Sequence, residues 1–132
     1  MDGALILETT FLIDLERELH SGEPGPVQRF LEEHARAPLL ITFTVAGELA
    51  AGMSVDRRQP WETPVAPFRV LPCTDDVCWE YGQLYSYLQT NGLLVGTNDL
   101  WIAATAVVFG KAVVTRNERY FRRVPRLDVL AY

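Results

Sequence analysis

Residues 97–114, with the sequence TNDLWIAATAVVFGKAVV, are typical of a helix that leads directly into a buried strand. Residues 97–99 are polar helix starters, the apolar run 100–109 has the length of a helix, and Gly110 is a favoured stop. Ala112–Val114 is short and apolar, as buried strands are. A helix that returns the chain to a buried strand is half of a βαβ unit, from which parallel sheets are built.

The same alternation of short apolar runs and helical patterns extends outward along the chain. Four helices are predicted. The first follows Thr9 and Thr10, two possible caps, and stops at Gly22, and the second begins at Pro26. The third runs from a Thr44 cap to about residue 53, and the fourth from a Thr74 cap to residue 91. Residues 54–67 contain three prolines and are predicted to be a loop. Strands alternating with helices imply right-handed crossovers and a parallel sheet covered on both faces, so the predicted class is α/β. The predicted strands are residues 4–7, 39–43, 68–71, 112–114 and 127–130.

The composition is that of one globular domain, predicted to cover residues 1–132. The chain is 48% hydrophobic and 22% charged, which excludes a disordered protein. No apolar run is long enough to cross a bilayer, and the first residues do not resemble a signal peptide. We therefore expect a cytoplasmic protein without membrane contact.

The net charge of −5 is unevenly distributed. Residues 111–132 carry six basic and two acidic side chains, a balance of 6 − 2 = +4, and residues 1–110 carry 6 − 15 = −9. A pI near 5.0 disfavours a protein that coats nucleic acid nonspecifically. It is compatible with an enzyme whose acidic side binds a metal ion and whose arginines meet phosphate, although a solvated face or a protein contact explains the arginines equally well.

The two cysteines, Cys73 and Cys78, are too few for a structural zinc site, and both histidines lie far away in the sequence. We expect two partly buried thiols that flank the start of a helix.

Three carboxylates follow the predicted strands. Glu8 comes directly after the first strand, Glu48 lies one turn into the helix after the second, and Asp99 lies in the first turn of the 100–109 helix. Ligands of open α/β sheets bind beyond the carboxyl ends of the strands, so these acids are predicted to share one edge. Their mutual repulsion would be relieved by Mg²⁺, which can activate water against a phosphodiester. Each acid alone is also explained as a charge at a helix N-terminus, and both interpretations stay open. The strand 112–114 is followed at the same edge by Thr115, Arg116 and Asn117.

Four segments, in order, resemble the motifs of the PIN-domain family. They are LETTFLIDL at residues 7–15, the segment 42–52 with AGEL inside it, NDLWIAATA at residues 98–106, and VTRN followed by YFRRV at residues 114–124. The resemblance covers nearly the whole chain, from residue 4 to residue 130. It implies a PIN-like three-layer α/β/α domain with a central, mainly parallel sheet.

The resemblance further implies a ribonuclease of the VapC type, the toxin half of a toxin–antitoxin pair. Such proteins are Mg²⁺- or Mn²⁺-dependent endoribonucleases that cleave RNA, are often homodimers, and are inhibited by a cognate antitoxin. Carried over to this chain, Glu8, Glu48 and Asp99 would form the acidic triad around the metal, and Asn117 would take the fourth position. The supporting residues would be Thr10, Thr115 and Arg116. Thr10 would hold the first carboxylate, and Arg116 would lie near substrate phosphate.

One departure from the family pattern is Glu8, because the first acid is usually Asp. The longer side chain would weaken Mg²⁺ binding or favour Mn²⁺, and it keeps open an alternative: a PIN-fold module that binds RNA or protein through an impaired metal site. Asp14 is the nearest substitute acid, and we expect it to be a cap or ion-pair residue. A receiver-like or phosphatase-like domain is disfavoured, because the only lysine, Lys111, precedes its strand.

Overall fold

A computed structural model describes residues 3–52 and 67–132 and contains a five-stranded sheet flanked by helices. The predicted α/β class is confirmed, and most of the predicted 54–67 loop lies outside the described residues. The strands are β1 (Leu5–Leu7), β2 (Leu39–Thr42), β3 (Arg69–Leu71), β4 (Ala112–Val114) and β5 (Val129–Leu130). The helices are α1 (Thr9–Ser21), α2 (Pro26–Glu33), α3 (Phe43–Gly52), α4 (Asp75–Thr90), α5 (Thr97–Phe109) and the short α6 (Glu118–Phe121).

The sheet is parallel throughout, with the strand order β3-β2-β1-β4-β5. The chain builds outward from β1 through β2 to β3, then crosses to the other side of β1 to form β4 and β5. The order therefore reverses between β1 and β4, which pair through Leu5 with Ala112 and Leu7 with Val114. Such a reversal opens a crevice at the carboxyl ends of the two strands, where ligands of open α/β sheets bind.

The core consists of two clusters of buried apolar side chains that meet at α5. In the first, Phe11 of α1 and Val27 of α2 pack with the strand residues Ile41 and Val113. The second joins α4 to α5. Ile102 belongs to the first cluster, so α5 is held from both sides. Members of the second cluster include Val77, Leu84 and Leu88 of α4 with Leu100, Ala103 and Ala104 of α5.

The helix ends confirm most of the predicted signals and correct one. Gly22 and Gly110 close α1 and α5 in the left-handed conformation, with φ of 75° and 65°. However, the chain becomes helical at Phe43, because the Thr42 hydroxyl accepts a hydrogen bond from the Val45 N–H at 3.2 Å. The expected cap at Thr44 was therefore wrong. None of the helices in the described ranges combines the length and the apolar character that crossing a bilayer requires.

Candidate active site

Glu8 lies at the crevice between β1 and β4, and its side chain is only 3% exposed. It is the N-cap of α1, the role that the sequence suggested for Thr9 or Thr10. Its Oε2 accepts hydrogen bonds from the Thr10 N–H at 3.0 Å, the Thr10 hydroxyl at 2.5 Å and the Thr115 hydroxyl at 2.9 Å. The Thr115 bond joins the end of β4 to the end of β1, so one carboxylate oxygen closes the crevice from both strands.

The two hydroxyls that hold Glu8 are themselves fixed by the backbone that follows β4. The Thr10 hydroxyl accepts from the Arg116 N–H at 3.2 Å, and the Thr115 hydroxyl accepts from the Asn117 N–H at 3.0 Å. Because each hydroxyl accepts a backbone N–H, its own proton is left for Glu8. The orientation of Oε2 is thus determined, whereas Oε1 accepts no hydrogen bond within the described part of the chain.

Glu48 on α3 is tied to the start of α1. Its Oε1 accepts a hydrogen bond from the Thr9 hydroxyl at 3.0 Å. Burial raises the pKa of Glu48, the Thr9 bond opposes this, and the charge of Glu8 raises it further. Adjacent residues of α1 therefore hold the two glutamates, Thr9 holding Glu48 and Thr10 holding Glu8.

Asp99 lies in the first turn of α5 and is the most perturbed acid of the three. Burial, the charge of Glu8 and the charge of Glu48 together raise the pKa of Asp99 to about 6. It accepts no hydrogen bond from the residues that the structure describes. Three carboxylates from separate parts of the chain thus share one crevice and repel each other, and a perturbed acid of this kind is typical of functional sites.

The donor set suits a hard divalent cation, because every candidate ligand is a carboxylate oxygen. Within residues 3–52 and 67–132, no three His, Cys, Asp or Glu side chains approach closely enough to coordinate one ion together. Mg²⁺ commonly takes one or two carboxylates directly and keeps several waters, so it does not require three direct ligands. Burial raises the pKa of Asp99, and the charges of Glu8 and Glu48 add a repulsion that a cation would relieve. The residues therefore fit such an ion in chemical type and in charge.

The other predicted site residues lie at the end of β4. Thr115 is buried and bonded to Glu8, and Asn117 is exposed, with no side-chain hydrogen bond to the first turn of α6. The Arg116 guanidinium donates to Asp14, with its Nη1 2.9 Å from Oδ1 and 3.1 Å from Oδ2. Asp14 also accepts a hydrogen bond from the Tyr132 hydroxyl at 2.6 Å. Asp14 is thus the ion-pair residue that was expected, and its partner is Arg116, the arginine that was expected near phosphate.

The basic C-terminal segment is partly neutralised by ion pairs. Besides the pair with Arg116, Arg122 lies 3.1 Å from Glu118 and Arg126 lies 2.8 Å from Glu80. Arg119 is exposed and pairs with no residue in the described ranges. Of the arginines that follow β4, it is thus one whose charge is not compensated by an ion pair with the described chain.

A groove of about 350 Å³ borders Glu48 and was not expected from the sequence. Trp101 forms part of its wall and stacks on Tyr81 with ring centroids 3.9 Å apart. The Thr44 hydroxyl is buried without a hydrogen-bond partner in the described chain, an arrangement that usually marks a place for water or ligand. No sequence signal distinguishes such a hydroxyl from an ordinary helical threonine. The groove is lined by Phe43, Thr44, Gly47, Glu48, Ala51, Asn98 and Trp101.

Comparison with known proteins gives a consistent family. The PIN domain model matches residues 5–127. Among sequence relatives, Ribonuclease VapC2 of Rickettsia felis is 28% identical over 94 residues, 67% of this chain and 70% of that protein. Ribonuclease VapC of Rickettsia bellii is 33% identical over 63 residues, 48% of this chain. The matched part spans about half the length of several of these relatives, 47% in the R. bellii protein.

Solved structures with the same fold include chains of two VapBC assemblies. One is VapBC2 from R. felis bound to a DNA fragment from its promoter, with a TM-score of 0.80, 24% identity and 98% of both chains covered. Another is VapBC-1 from nontypeable Haemophilus influenzae, with a TM-score of 0.80, 23% identity and 97% of both chains covered. At these identities, the likeness establishes the fold.

Proposed function

Because this chain belongs to the PIN-domain family, we propose that it is a Mg²⁺- or Mn²⁺-dependent endoribonuclease and the toxin of a toxin–antitoxin pair. The observation that carries the proposal is the half-buried Asp99, whose pKa is raised by burial and then by the charges of Glu8 and Glu48. Three acids that repel each other, with no ion pair to a basic side chain in the described ranges, are unfavourable for folding alone. A cation bound in the crevice would offset this unfavourable free energy.

In this proposal, Glu8, Glu48 and Asp99 would hold the ion. When bound, the ion would lower the pKa of a water molecule and stabilise the charge that develops on a phosphodiester. Thr10 and Thr115 fix the plane of the Glu8 carboxylate, and their bonds to Oε2 leave Oε1 as the oxygen available to a ligand. Such outer hydrogen bonds orient metal ligands and reduce the cost of reorganisation on binding.

RNA would approach along the groove beside Glu48. The unpaired Thr44 hydroxyl and the Asn98 side chain supply polar groups in a wall that is otherwise apolar and aromatic. Arg119 is a candidate to contact the phosphate backbone, because it is exposed two residues beyond Asn117 and pairs with no described residue. Arg116 remains a candidate, but it would first have to leave Asp14.

A cognate antitoxin is proposed as the protein partner, because chains of similar fold are found in toxin–antitoxin complexes. This chain offers an apolar cavity of about 550 Å³ between α1 and α3. Its Leu12 is four residues from Glu8 and its Leu49 adjoins Glu48, so an apolar peptide in this cavity would end close to the acids. The cavity is lined by Leu12, Leu15, Glu16, Leu19, His20, Leu49, Pro67 and Phe68.

A homodimer is also proposed, with α4 as a candidate contact. This helix exposes Trp79 by 72%, together with Tyr85 and Tyr87. Exposed aromatic residues are enriched at protein interfaces. Sedimentation velocity of the wild-type protein should give a dimer, and Trp79→Ser should shift the equilibrium toward monomer. A wild-type monomer at micromolar concentration would contradict this part of the proposal.

The decisive experiment combines cleavage with metal binding. Purified protein should cut a mixed RNA substrate with Mg²⁺ or Mn²⁺ and stop in EDTA, and Asp99→Asn should lower the rate by at least about 100-fold. Asp128→Asn is the matched control, because Asp128 precedes β5 at the opposite edge of the sheet. Calorimetry with Mn²⁺ should show one site in the wild type and in the control. An intact RNA pool in metal-replete wild type would refute the enzymatic proposal.

Glu8→Asp distinguishes the enzyme from a binding module with an impaired site. If Glu8 is a working ligand, the shorter side chain loses the reach to Thr115, and cleavage falls. A sharp gain of cleavage in the variant would instead indicate that the natural residue had compromised the site.

A further inference from the structure

The two thiols form a close pair outside the acidic crevice. The sulfur atoms of Cys73 and Cys78 lie 3.6 Å apart at the start of α4, and both residues are exposed. The expectation of partly buried thiols was therefore wrong. They flank the cap residue Thr74, whose hydroxyl accepts from the Val77 N–H at 3.2 Å.

Cys73 and Cys78 occupy the two positions of a common packing contact at helix starts, but exposed thiols suit that contact poorly. Cys73 precedes the cap and Cys78 is the fourth residue of α4, the two places at which apolar side chains often pack to fix the entry of a helix. Such a contact stabilises by removing apolar surface from water. Exposed thiols remove little, so packing gives a weak reason for placing two cysteines there.

The backbone between the two cysteines is already closed. The Thr74 cap and the hydrogen bond from the Cys78 N–H to the Thr74 carbonyl at 3.0 Å hold the turn. A disulfide needs sulfurs about 2.05 Å apart, so the two sulfur atoms must approach by roughly 1.5 Å for the bond to form. A metal site is the other use of a thiol pair. The described residues offer no group of three or more ligating side chains that includes these cysteines.

We propose that Cys73 and Cys78 are a redox modification site that forms a reversible intramolecular disulfide with a small-molecule disulfide as the oxidant. One thiolate attacks a sulfur of the oxidant, forms a mixed disulfide and releases one small thiolate. The second cysteine, as its thiolate, attacks the protein sulfur of the mixed disulfide and releases the other. The protein loses two protons and two electrons, and the oxidant becomes two small thiols.

Partial desolvation, the Cys78 thiol and the Asp75 carboxylate raise the pKa of the Cys73 thiol. A higher pKa leaves less Cys73 thiolate at neutral pH, so its reaction with the oxidant should become faster as the pH rises.

The site follows the carboxyl end of the outer strand β3, at the same edge of the parallel sheet as the crevice. The disulfide would fix the first turn of α4, where Val77 packs in the same cluster as Leu100 of α5. Asp99 adjoins Leu100, so the redox state of the pair would act close to the candidate catalytic acid. The chemistry itself is independent of the proposed nuclease activity.

The test equilibrates the full chain with mixtures of reduced and oxidised glutathione, followed by acid quench, thiol alkylation and intact mass. Wild type should lose both thiols together and carry no glutathione, whereas Cys73→Ser and Cys78→Ser should each gain one glutathione. Folding and disulfide formation stabilise each other by the same factor. The equilibrium constant for forming the disulfide with glutathione should therefore fall at least about tenfold when urea unfolds the protein.

Three outcomes would overturn the proposal: wild type that keeps both thiols in pure oxidised glutathione, wild type that accumulates mixed disulfides, or chains that become linked to each other. A melting temperature lower in the oxidised than in the reduced protein would contradict the closed backbone on which the proposal rests. None of these measurements uses RNA or a metal ion, so their failure is separable from failure of the proposed function.

Discussion

Asp99→Asn should stabilise the metal-free protein while removing its activity. The pKa of Asp99 is raised from an ordinary value of 3.8 to about 6 by burial, Glu8 and Glu48. Two units correspond to about 3 kcal/mol, and roughly half remains for a carboxyl that solvent partly screens. The dipole of α5 favours the charged form by about 0.5 kcal/mol, which leaves a net gain of about 1 kcal/mol for the amide.

The sign of the pH dependence follows from the direction of the shift. A folded state with a raised carboxyl pKa binds more protons than the unfolded chain between pH 3.8 and about 6. Wild-type stability contributed by this group therefore falls as the pH rises through that window and stays low above it. The amide removes the dependence, so the advantage of the variant should be full at pH 8 and absent near pH 4.

Thermal unfolding in EDTA at pH 4, 6 and 8 measures this difference. A gain of about 1 kcal/mol corresponds to roughly 3–5 °C in a domain of this size. Asp128→Asn, at the opposite edge of the sheet, is the matched control for an Asp-to-Asn change outside the crevice. Adding Mn²⁺ at pH 8 should raise the melting temperature of wild type more than that of Asp99→Asn. The repulsion argument would be refuted if Asp99→Asn were less stable than wild type at pH 8. It would also be refuted if the difference in melting temperature were as large at pH 4 as at pH 8.

The remaining predictions concern the groups that hold the acids and one helix start. Thr115→Val should lower Mn²⁺ affinity by about tenfold in calorimetry, because it removes a hydrogen bond to Glu8. The control Thr105→Val, which removes a buried hydroxyl bonded within α5, should leave the affinity unchanged. Equal affinities for the two variants would contradict the role of Thr115. Glu8→Gln should have nearly the melting temperature of wild type, since an amide oxygen can accept the same three hydrogen bonds, but it should not bind the cation. Glu8→Ala should lose both stability and cation binding. A Gln variant that binds Mn²⁺ like wild type would disprove the role of the free oxygen. Gly25→Ala should lower the melting temperature, because a Cβ there would lie 2.7 Å from Cδ of Glu18, whose carboxylate accepts three backbone N–H groups at the start of α2. Against the effect of burial, those three bonds lower the pKa of Glu18, so their benefit should fade as the pH falls below 4.5. A Gly25→Ala deficit that does not shrink as the pH is lowered below 4.5 would contradict the assignment.

The sequence predicted the fold well because its signals are local. Each strand is an apolar run between polar residues, and Gly22 and Gly110 mark helix ends through a conformation that glycine adopts most easily. The error at Thr44 was also local: two neighbouring threonines both fit a cap, and only the backbone path shows that Thr42 fills it. All five strands align in parallel, which the alternation of elements required.

Contacts between distant parts of the chain were not predictable in the same way. The carboxyl ends of strands share an edge, so the positions of Glu8, Glu48 and Asp99 were expected at one crevice. Their partners were not, since the bond from Thr9 to Glu48 spans 39 positions and that from Tyr132 to Asp14 spans 118. Exposure of the cysteines escaped the sequence for a related reason, because a thiol is compatible with core and surface alike.

The replacement of the usual aspartate by Glu8 has a physical explanation in the geometry of the crevice. A cap at this position must accept the Thr10 N–H within its own helix, and closing the crevice requires the same oxygen to reach Thr115 on β4. In Glu8 a single oxygen, Oε2, meets both demands, and Oε1 accepts no hydrogen bond from the described residues. One oxygen then stabilises the fold while the other stays available for a ligand. We therefore propose that the longer acid can serve the fold and a ligand at the same time in this chain.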